Sequence, residues 1–356
     1  MHQKEIEKRF LASIDPFTKR AFSPKNLKAV RQVLQKVEID VELGYPCEGV
    51  VGAFIESIQN QLRSSMPDGS IDFKVSTRIE AHAGNKGIKG LPAIKNMIGI
   101  ASNKGGVGKS TVALNLALAL AKNGARVGLL DADVYGPSQP LMLGAQGRAQ
   151  VENKVLQPKI CHGLQTISMG YLIDPTAPMV WRGPMLGKAI EQMLYDTNWD
   201  ALDYLFIDLP PGTGDIQLTL SQKMPLTGVV MVTTPQQIAL GDVVRSCEAF
   251  NKLNVALLGI VENMSFYHCP NCGHDDAIFG RNGGQTLAQS QQIPFLGSLP
   301  LNALICSAGD QGLPFLIQNP DHAISKQFME MAIQIAAQIA LLPVDYSAKF
   351  PHVIIK

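Results

Sequence analysis

The stretch that decides the fold is Met97-Ile-Gly-Ile-Ala-Ser-Asn-Lys-Gly-Gly-Val-Gly-Lys-Ser110, followed by a small-residue segment and then by Val127-Gly-Leu-Leu-Asp-Ala-Asp133. Residues 97–101 form a short apolar run bounded by polar residues, the pattern of a buried parallel strand. From Thr111 small and apolar residues continue as a helix until Asn123-Gly124, a C-terminal stop. Strand, glycine-rich loop and helix in this order form a phosphate-binding loop. Backbone N–H groups converge on phosphate oxygens, and the helix N-terminus adds partial positive charge. Lys109 then reaches the outer phosphates and the Ser110 hydroxyl takes one position on Mg²⁺. The nucleotide-binding candidates are Asn103, Lys104, Gly105, Gly106, Val107, Gly108, Lys109, Ser110 and Thr111. The pattern G-x-x-x-x-G-K-S has Asn103 at its first glycine position. If that position requires a left-handed φ, Asn is among the least costly alternatives. A glycine-rich turn that binds nothing does not account for the three glycines, Lys109 and Ser110 together.

A nucleotide site needs carboxylates as well. Phe206-Ile-Asp208 ends an apolar strand with Asp208, the Walker B arrangement, and Pro210-Pro-Gly-Thr-Gly214 follows as a loop able to sense a γ-phosphate. Asp131 and Asp133 flank Ala132 at the end of another strand, and alternation points both to one side.

Lys104 narrows the class: Lys104-Gly-Gly-Val-Gly-Lys-Ser110 resembles the deviant Walker A loop of ATPases that dimerise face to face, in which the first lysine crosses to the partner's nucleotide. Three further segments extend the resemblance: Leu130-Asp-Ala-Asp-Val-Tyr-Gly-Pro-Ser-Gln-Pro140, Asp208-Leu-Pro-Pro-Gly-Thr-Gly-Asp215 and Cys269-Pro-Asn-Cys-Gly273. With them the chain resembles the Mrp/ApbC family of iron–sulfur cluster carrier ATPases, densely over residues 93–312 and more thinly over 41–95. The resemblance implies ATP hydrolysis by a homodimer, with Lys104, Lys109, Asp133 and Asp208 as the catalytic set. It places Asp133 in switch I beside the attacking water and Asp131 with Ser110 and Asp208 in the metal shell, although the two aspartates could exchange roles. Asn263 is the adenine-reading candidate, with a structural amide at a strand end as its competitor. Arg182, in Trp181-Arg-Gly-Pro-Met185, is either a switch-coupling residue or an ordinary solvated arginine.

His268-Cys-Pro-Asn-Cys-Gly-His274 is a metal-binding knuckle. The chain has no second C-x-x-C, and residues adjacent to each cysteine have difficulty closing around the same ion. Two protomers supply Cys269 and Cys272 twice, a count that suits a [4Fe–4S] cluster at a dimer axis. Intersubunit zinc has the same stoichiometry, and the resemblance, not the spacing, favours iron–sulfur. A redox C-x-x-C normally opens a helix, whereas Pro270, Gly273 and Asp275-Asp276 suggest a loop. Cys161, Cys247 and Cys306 read as isolated structural thiols, and Cys47 as a half-buried thiol or a functional residue of the N-terminal unit.

Working outward, the remaining apolar runs at 127–130, 204–207, 228–232, 257–261 and 295–299 alternate with helical patterns at 184–195, 215–223 and 236–253. This is an α/β P-loop NTPase domain, a mostly parallel sheet covered by helices on both faces. Residues 146–180 read as an irregular excursion and 324–341 as a final helix. Before the sheet lies a small α/β unit: a helix starting at Ser23-Pro24 with Leu27, Val30, Leu34 and Val37 on one face, a strand at 39–43, a helix at 49–65 and a strand at 70–79. The expected divisions are 1–83 for that unit, 84–96 for a linker, 97–343 for the ATPase domain and 344–356 for a tail.

Net charge is +1, from 31 basic and 30 acidic residues without a basic cluster, which argues against nucleic acid as the main partner. No apolar run approaches the roughly 20 residues of a membrane span, and six cysteines do not make a secreted disulfide framework. A cytoplasmic location is the expectation, with ATP, Mg²⁺ and a 4Fe-4S cluster as bound groups, and apoprotein recipients and assembly scaffolds as partners. The rival is a ParA/MinD-like positioning ATPase with a zinc-stabilised dimer. In its membrane-cycling form such a protein should end in a basic amphipathic helix, but 324–341 carries only Lys326 as a basic residue.

Overall fold

The structure, a computed structural model, describes residues 3–33, 36–63, 71–85, 88, 90–134, 136–145, 147–172, 183–212 and 215–346. Its N-terminal unit holds α1 (Gln3–Ala12), β1 (Leu27–Val33), β2 (Lys36–Leu43), α2 (Val51–Arg63) and β3 (Ile71–Thr77). These strands form a sheet in the order β1-β2-β3, antiparallel then parallel. The helix expected after Ser23-Pro24 is not formed: a 3-10 turn at Pro24–Asn26 leads directly into β1. The Asn26 side chain accepts from Ser23 N and Ser23 Oγ and donates to Glu42 O on β2, so the turn is anchored to the neighbouring strand. Pairing of β1 with β2, from Leu27↔Val41 to Val33↔Lys36, overrides the helical spacing of Leu27 and Val30. Leu34, the third residue of that stripe, lies outside the described residues.

The second unit runs through β4 (Ile94–Ala101), α3 (Lys109–Lys122), β5 (Val127–Asp131), α4 (Gln139–Met142), β6 (Val151–Glu152), β7 (Val155–Leu156), β8 (Lys159–Cys161) and β9 (Leu164–Ser168). It continues with α5 (Gly183–Tyr195), β10 (Leu202–Asp208), α6 (Asp215–Lys223), β11 (Gly228–Thr233), α7 (Gln237–Lys252) and β12 (Ala256–Glu262). Last come β13 (Tyr267–His268), β14 (Asp275–Asp276), α8 (Gly283–Gln291), β15 (Phe295–Ser298), α9 (Ala303–Asp310), α10 (Phe315–Gln318) and α11 (Ala323–Ala340). Eight strands form one sheet in the order β15-β12-β11-β4-β10-β5-β9-β8, parallel except for the β8–β9 pair at one edge. The excursion expected at 146–180 thus contributes two strands to the main sheet, while β6 and β7 form a separate small ribbon.

Alternation sorts each strand into two cores. Ile98, Ile100, Leu129, Phe206, Val230 and Val232 face a cluster shared with α3 and α11. Met97, Leu130, Leu205, Ile207, Val229 and Met231 face a second one with α5 and α7. Covering helices on both faces explain why the central strands read as continuous apolar runs rather than as polar–apolar alternation. Phe328, Met331, Ile335 and Ile339 bury one side of α11 in the first cluster, so the final helix is core. The N-terminal unit packs into the same cluster through Tyr45, Phe54 and Ile58, and Gly49 N donates to Asn123 Oδ1 at the C-terminal end of α3. Among the described residues no helix is long and apolar enough to cross a membrane.

Candidate nucleotide and cysteine sites

The parallel arrangement brings the carboxyl ends of β4, β10, β5 and β9 to one edge, with Asp208 in register with Ile100 and Asp131, and Asp131 with Ser168. Ligands of open α/β sheets bind at this edge. The loop after β4 turns over Gly106 and Gly108, whose φ values of 78° and 81° lie in the left-handed region that glycine adopts without strain. Asn103 is not among the residues with positive φ, so the substituted first position is no conformational exception. Instead it is buried, its amide donates to Asp242 O on α7, and its Oδ1 has no partner. A Cβ added at Gly105 or Gly106 would meet nothing within 4 Å, which leaves this side of the loop open.

Under the loop lies a cluster of charges almost closed to solvent. Lys109 Nζ is paired with Asp208 Oδ1 and lies 3.8 Å from Asp133 Oδ2. Asp131 accepts from Ser168 Oγ at 2.9 Å and from the backbone N–H groups of Gln139 and Asp133, both at 3.2 Å. Burial first, and the neighbouring Asp208 charge second, push the Asp131 carboxyl up to about 8, so the apo cluster holds a proton that an exposed aspartate would have lost. Gln139 spans the cluster, with Nε2 donating to Asp208 Oδ2 at 2.9 Å and to Ser110 O at 3.0 Å. The sequence reading named neither Gln139 nor Ser168. Gln139 does stand in the quoted motif ending at Pro140, whereas only the register of β9 against β5 could reveal Ser168.

Three further predicted residues lie at the loop's rim. Thr111 Oγ1 faces Met142 Sδ on α4 at 3.8 Å. Lys104 is exposed and pairs with Asp242 Oδ2 at 2.9 Å, which also takes Arg245 at 3.3 Å through Oδ1. Asn263 is buried, with Nδ2 donating to Val107 O at 2.8 Å, so it props the phosphate loop from behind. A Cβ at Gly108 would come within 2.2 Å of that amide. A cavity of about 800 Å³ opens beside Lys104–Val107 and is walled by Thr234, Ile238, Met264 and Phe279. A larger groove of about 1030 Å³ lies between the N-terminal sheet and residues 340–346, far from this chemistry. It includes the ion pairs Lys28–Glu42 and Arg78–Glu80, and its size alone does not make it the site. Arg182, Thr213 and Gly214 lie outside the described residues.

Past Asn263 the chain leaves the sheet for the short hairpin β13–β14, whose turn carries Cys269 and Cys272. Cys269 N donates to His274 O and Gly273 N to Cys269 O, both at 2.9 Å, with Gly273 at a φ of 71°. The backbone N–H groups of Cys272 and Asn271, and then the Cys272 thiol, hold the Cys269 thiol below its usual pKa, which favours thiolate. His268 turns to Asp275, its Nδ1 lying 2.7 Å from Oδ1. Among the described residues no group of three or more His, Cys, Asp or Glu side chains is arranged to hold a metal ion. The described residues of one chain therefore offer a pair of cysteine ligands. Cys47 and Cys247 are buried, and burial pushes Cys47 up and Cys247 up to about 11; Cys161 is half-buried, while Cys306 is exposed on α9.

Comparison with known proteins matches this geometry to a family. Residues 93–336 match the ParA-type family described as "NUBPL iron-transfer P-loop NTPase". The iron-sulfur cluster carrier protein of Escherichia coli K12 is 48% identical over 272 residues, covering 76% of this chain and 74% of its own. That of Pseudomonas fragi is 49% identical over 278 residues, covering 77% and 97%. The mouse iron-sulfur cluster transfer protein NUBPL is 45% identical over 258 residues, covering 72% and 81%. Among solved structures, a nucleotide-binding protein from Archaeoglobus fulgidus in complex with ADP superposes with a TM-score of 0.55 at 36% identity, over 62% of this chain and 87% of that one. The Pyrococcus furiosus cell division ATPase MinD shares the fold, with a TM-score of 0.51 at 21% identity over 67% and 98%. Sequence and fold agree, and the chain belongs to the ParA-type NUBPL/Mrp family of iron–sulfur cluster carrier P-loop NTPases.

Proposed function

We propose that this chain is an ATP-hydrolysing carrier that holds a labile [4Fe–4S] cluster between two copies of itself and passes it to recipient apoproteins. The observation that carries this reading is the two-cysteine knuckle, joined by no further metal-holding group among the described residues, on a P-loop NTPase. Two copies provide Cys269 and Cys272 twice, four thiolates for one cluster.

The residues of the nucleotide site fit ATP with Mg²⁺. Gly105 and Gly106 leave an open cradle for phosphate, and Ser110, Asp208 and Asp131 make an oxygen-rich donor set of the kind a hard cation takes. Mg²⁺ neutralises charge on the phosphates when bound. Lys109 shifts from Asp208 to the outer phosphates, which frees the carboxylate for the metal side. Asp133, beside Lys109, orients the attacking water. Asn263 donates one of its two amide N–H groups to Val107 O, which leaves Oδ1 and the second N–H to meet a base. Oδ1 as an acceptor suits the amino group of adenine. Lys104 leaves Asp242 to reach the partner's nucleotide. The same Asn263 stands six residues before Cys269, so movement of the phosphate loop has a short path to the knuckle.

Anaerobic reconstitution tests the reading, with an absorbance spectrum and counts of iron, sulfide and zinc. About four iron and four sulfide per dimer are expected, released to an apoprotein that gains its own cluster. Tightly held zinc without sulfide would overturn it.

A further inference from the structure

We propose that Gln139 is a positioning residue for the metal side of the nucleotide site: it orients Asp208, and its Oε1 accepts from the hydration shell of a divalent cation bound with the nucleotide. This rests on the magnesium–nucleotide reading above and names a residue that reading does not use. Gln139 is 1% exposed at the first position of α4. Its backbone N–H goes to Asp131 Oδ2, while Nε2 bridges Asp208 Oδ2 and Ser110 O. One side chain therefore ties together the loop, the strand-end carboxylate and the segment after β5. The amide orientation is fixed by chemistry: flipping it would set an oxygen against both a carboxylate and a carbonyl.

That orientation leaves Oε1 buried and without a partner. Buried acceptors without donors are costly and call for an explanation. Phosphate oxygens cannot supply the missing donor, because they are themselves acceptors. The nearby carboxyls already face the other side of the residue, Asp208 accepting from Gln139 Nε2 and Asp131 from its backbone N–H, and the Lys109 ammonium is engaged with Asp208 and Asp133. The donor that arrives naturally among Ser110, Asp208 and Asp131 is water carried by a hard cation, which keeps several waters when protein-bound. Occupation by an ordinary structural water is the competing account, and the test separates the two.

The experiment measures binding of a fluorescent ADP analogue to the full chain, in excess Mg²⁺ and in EDTA. Wild type is expected to bind more tightly with Mg²⁺. Gln139→Met keeps the length without the amide: whatever its affinity in EDTA, the ratio of affinity in Mg²⁺ to affinity in EDTA should fall at least about fivefold below that of wild type. Gln139→Asn, run in parallel, keeps an amide but is one methylene short, and should lose the enhancement likewise. A merely structural role would weaken binding equally in both conditions. Full Mg²⁺ enhancement in either folded variant, or equal weakening with and without the metal, overturns the assignment. Absence of any enhancement in wild type sinks the magnesium reading and this inference with it.

Discussion

Asn263, which props the phosphate loop, stands six residues before Cys269, yet the loop and the cysteine knuckle are built on opposite principles. Around the loop, Lys109, Asp131, Asp208 and Gln139 are nearly closed to solvent and each is bonded to another of the set. The sheet's carboxyl edge holds them, and the charges are already paired before any ligand arrives. The knuckle is a two-residue-per-strand hairpin with exposed Cys272 and an acid–histidine pair beside it. It brings two cysteine side chains, and no group of three or more metal-holding side chains forms there among the described residues. Under the proposed function, the nucleotide is gripped by groups that the core already holds, whereas the exposed knuckle would draw its remaining ligands from a second copy. That difference would give a firm grip on the nucleotide and a releasable grip on the cargo.

Five substitutions test the contrast through the stability of the apo fold, from the largest effect to the smallest. Lys109→Ala removes one partner of a buried ion pair and should cost about 3 kcal/mol in urea unfolding, along with productive nucleotide binding. Stability near that of wild type would mean that the cluster is not the pre-paired device described. Asp131→Asn reads the raised carboxyl. Between the unfolded value near 3.8 and about 8, folded wild type keeps a proton that the unfolded chain has released, so its stability falls as pH rises through that window. The asparagine variant lacks this slope, and its advantage should widen from pH 5 to pH 8; parallel pH profiles would contradict the shift.

Lys104→Ala breaks a partly exposed pair with Asp242 and should change stability by no more than about 1 kcal/mol. Its larger effect falls on hydrolysis, and dimers mixed with wild type decide whether that loss acts in trans. At the far end, Cys269→Ser and Cys272→Ser alter exposed or half-exposed positions and should stay within about 0.5 kcal/mol of wild type, with nucleotide affinity kept and the cluster lost. A large fall in apo stability would show that the knuckle is a structural element after all.

The sequence made the loop site legible wherever chemistry is written locally. The glycines, Lys109 and Asp208 stand at the ends of apolar runs that became β4 and β10, and the alternating cores follow from the same runs. It failed where a distant partner decides. Leu27 and Val30 carry helical spacing, but β2 claims them as a strand. Ser168, Gln139 and Asp242 reveal their roles only once sheet register and helix packing bring them to Asp131, Asp208 and Lys104. The knuckle was legible as a ligand pair because its two cysteines are local, while only the folded chain shows that no third metal-holding group joins them among the described residues.

Native mass spectrometry of the anaerobically reconstituted protein tests the central claim most directly, since it weighs protomers and cluster in one particle. The account predicts a dimer carrying a single [4Fe–4S] cluster, absent from both cysteine variants and dissociating toward monomer when the cluster is chelated. A complete cluster on an isolated protomer, or a dimer holding zinc and no sulfide, would contradict it.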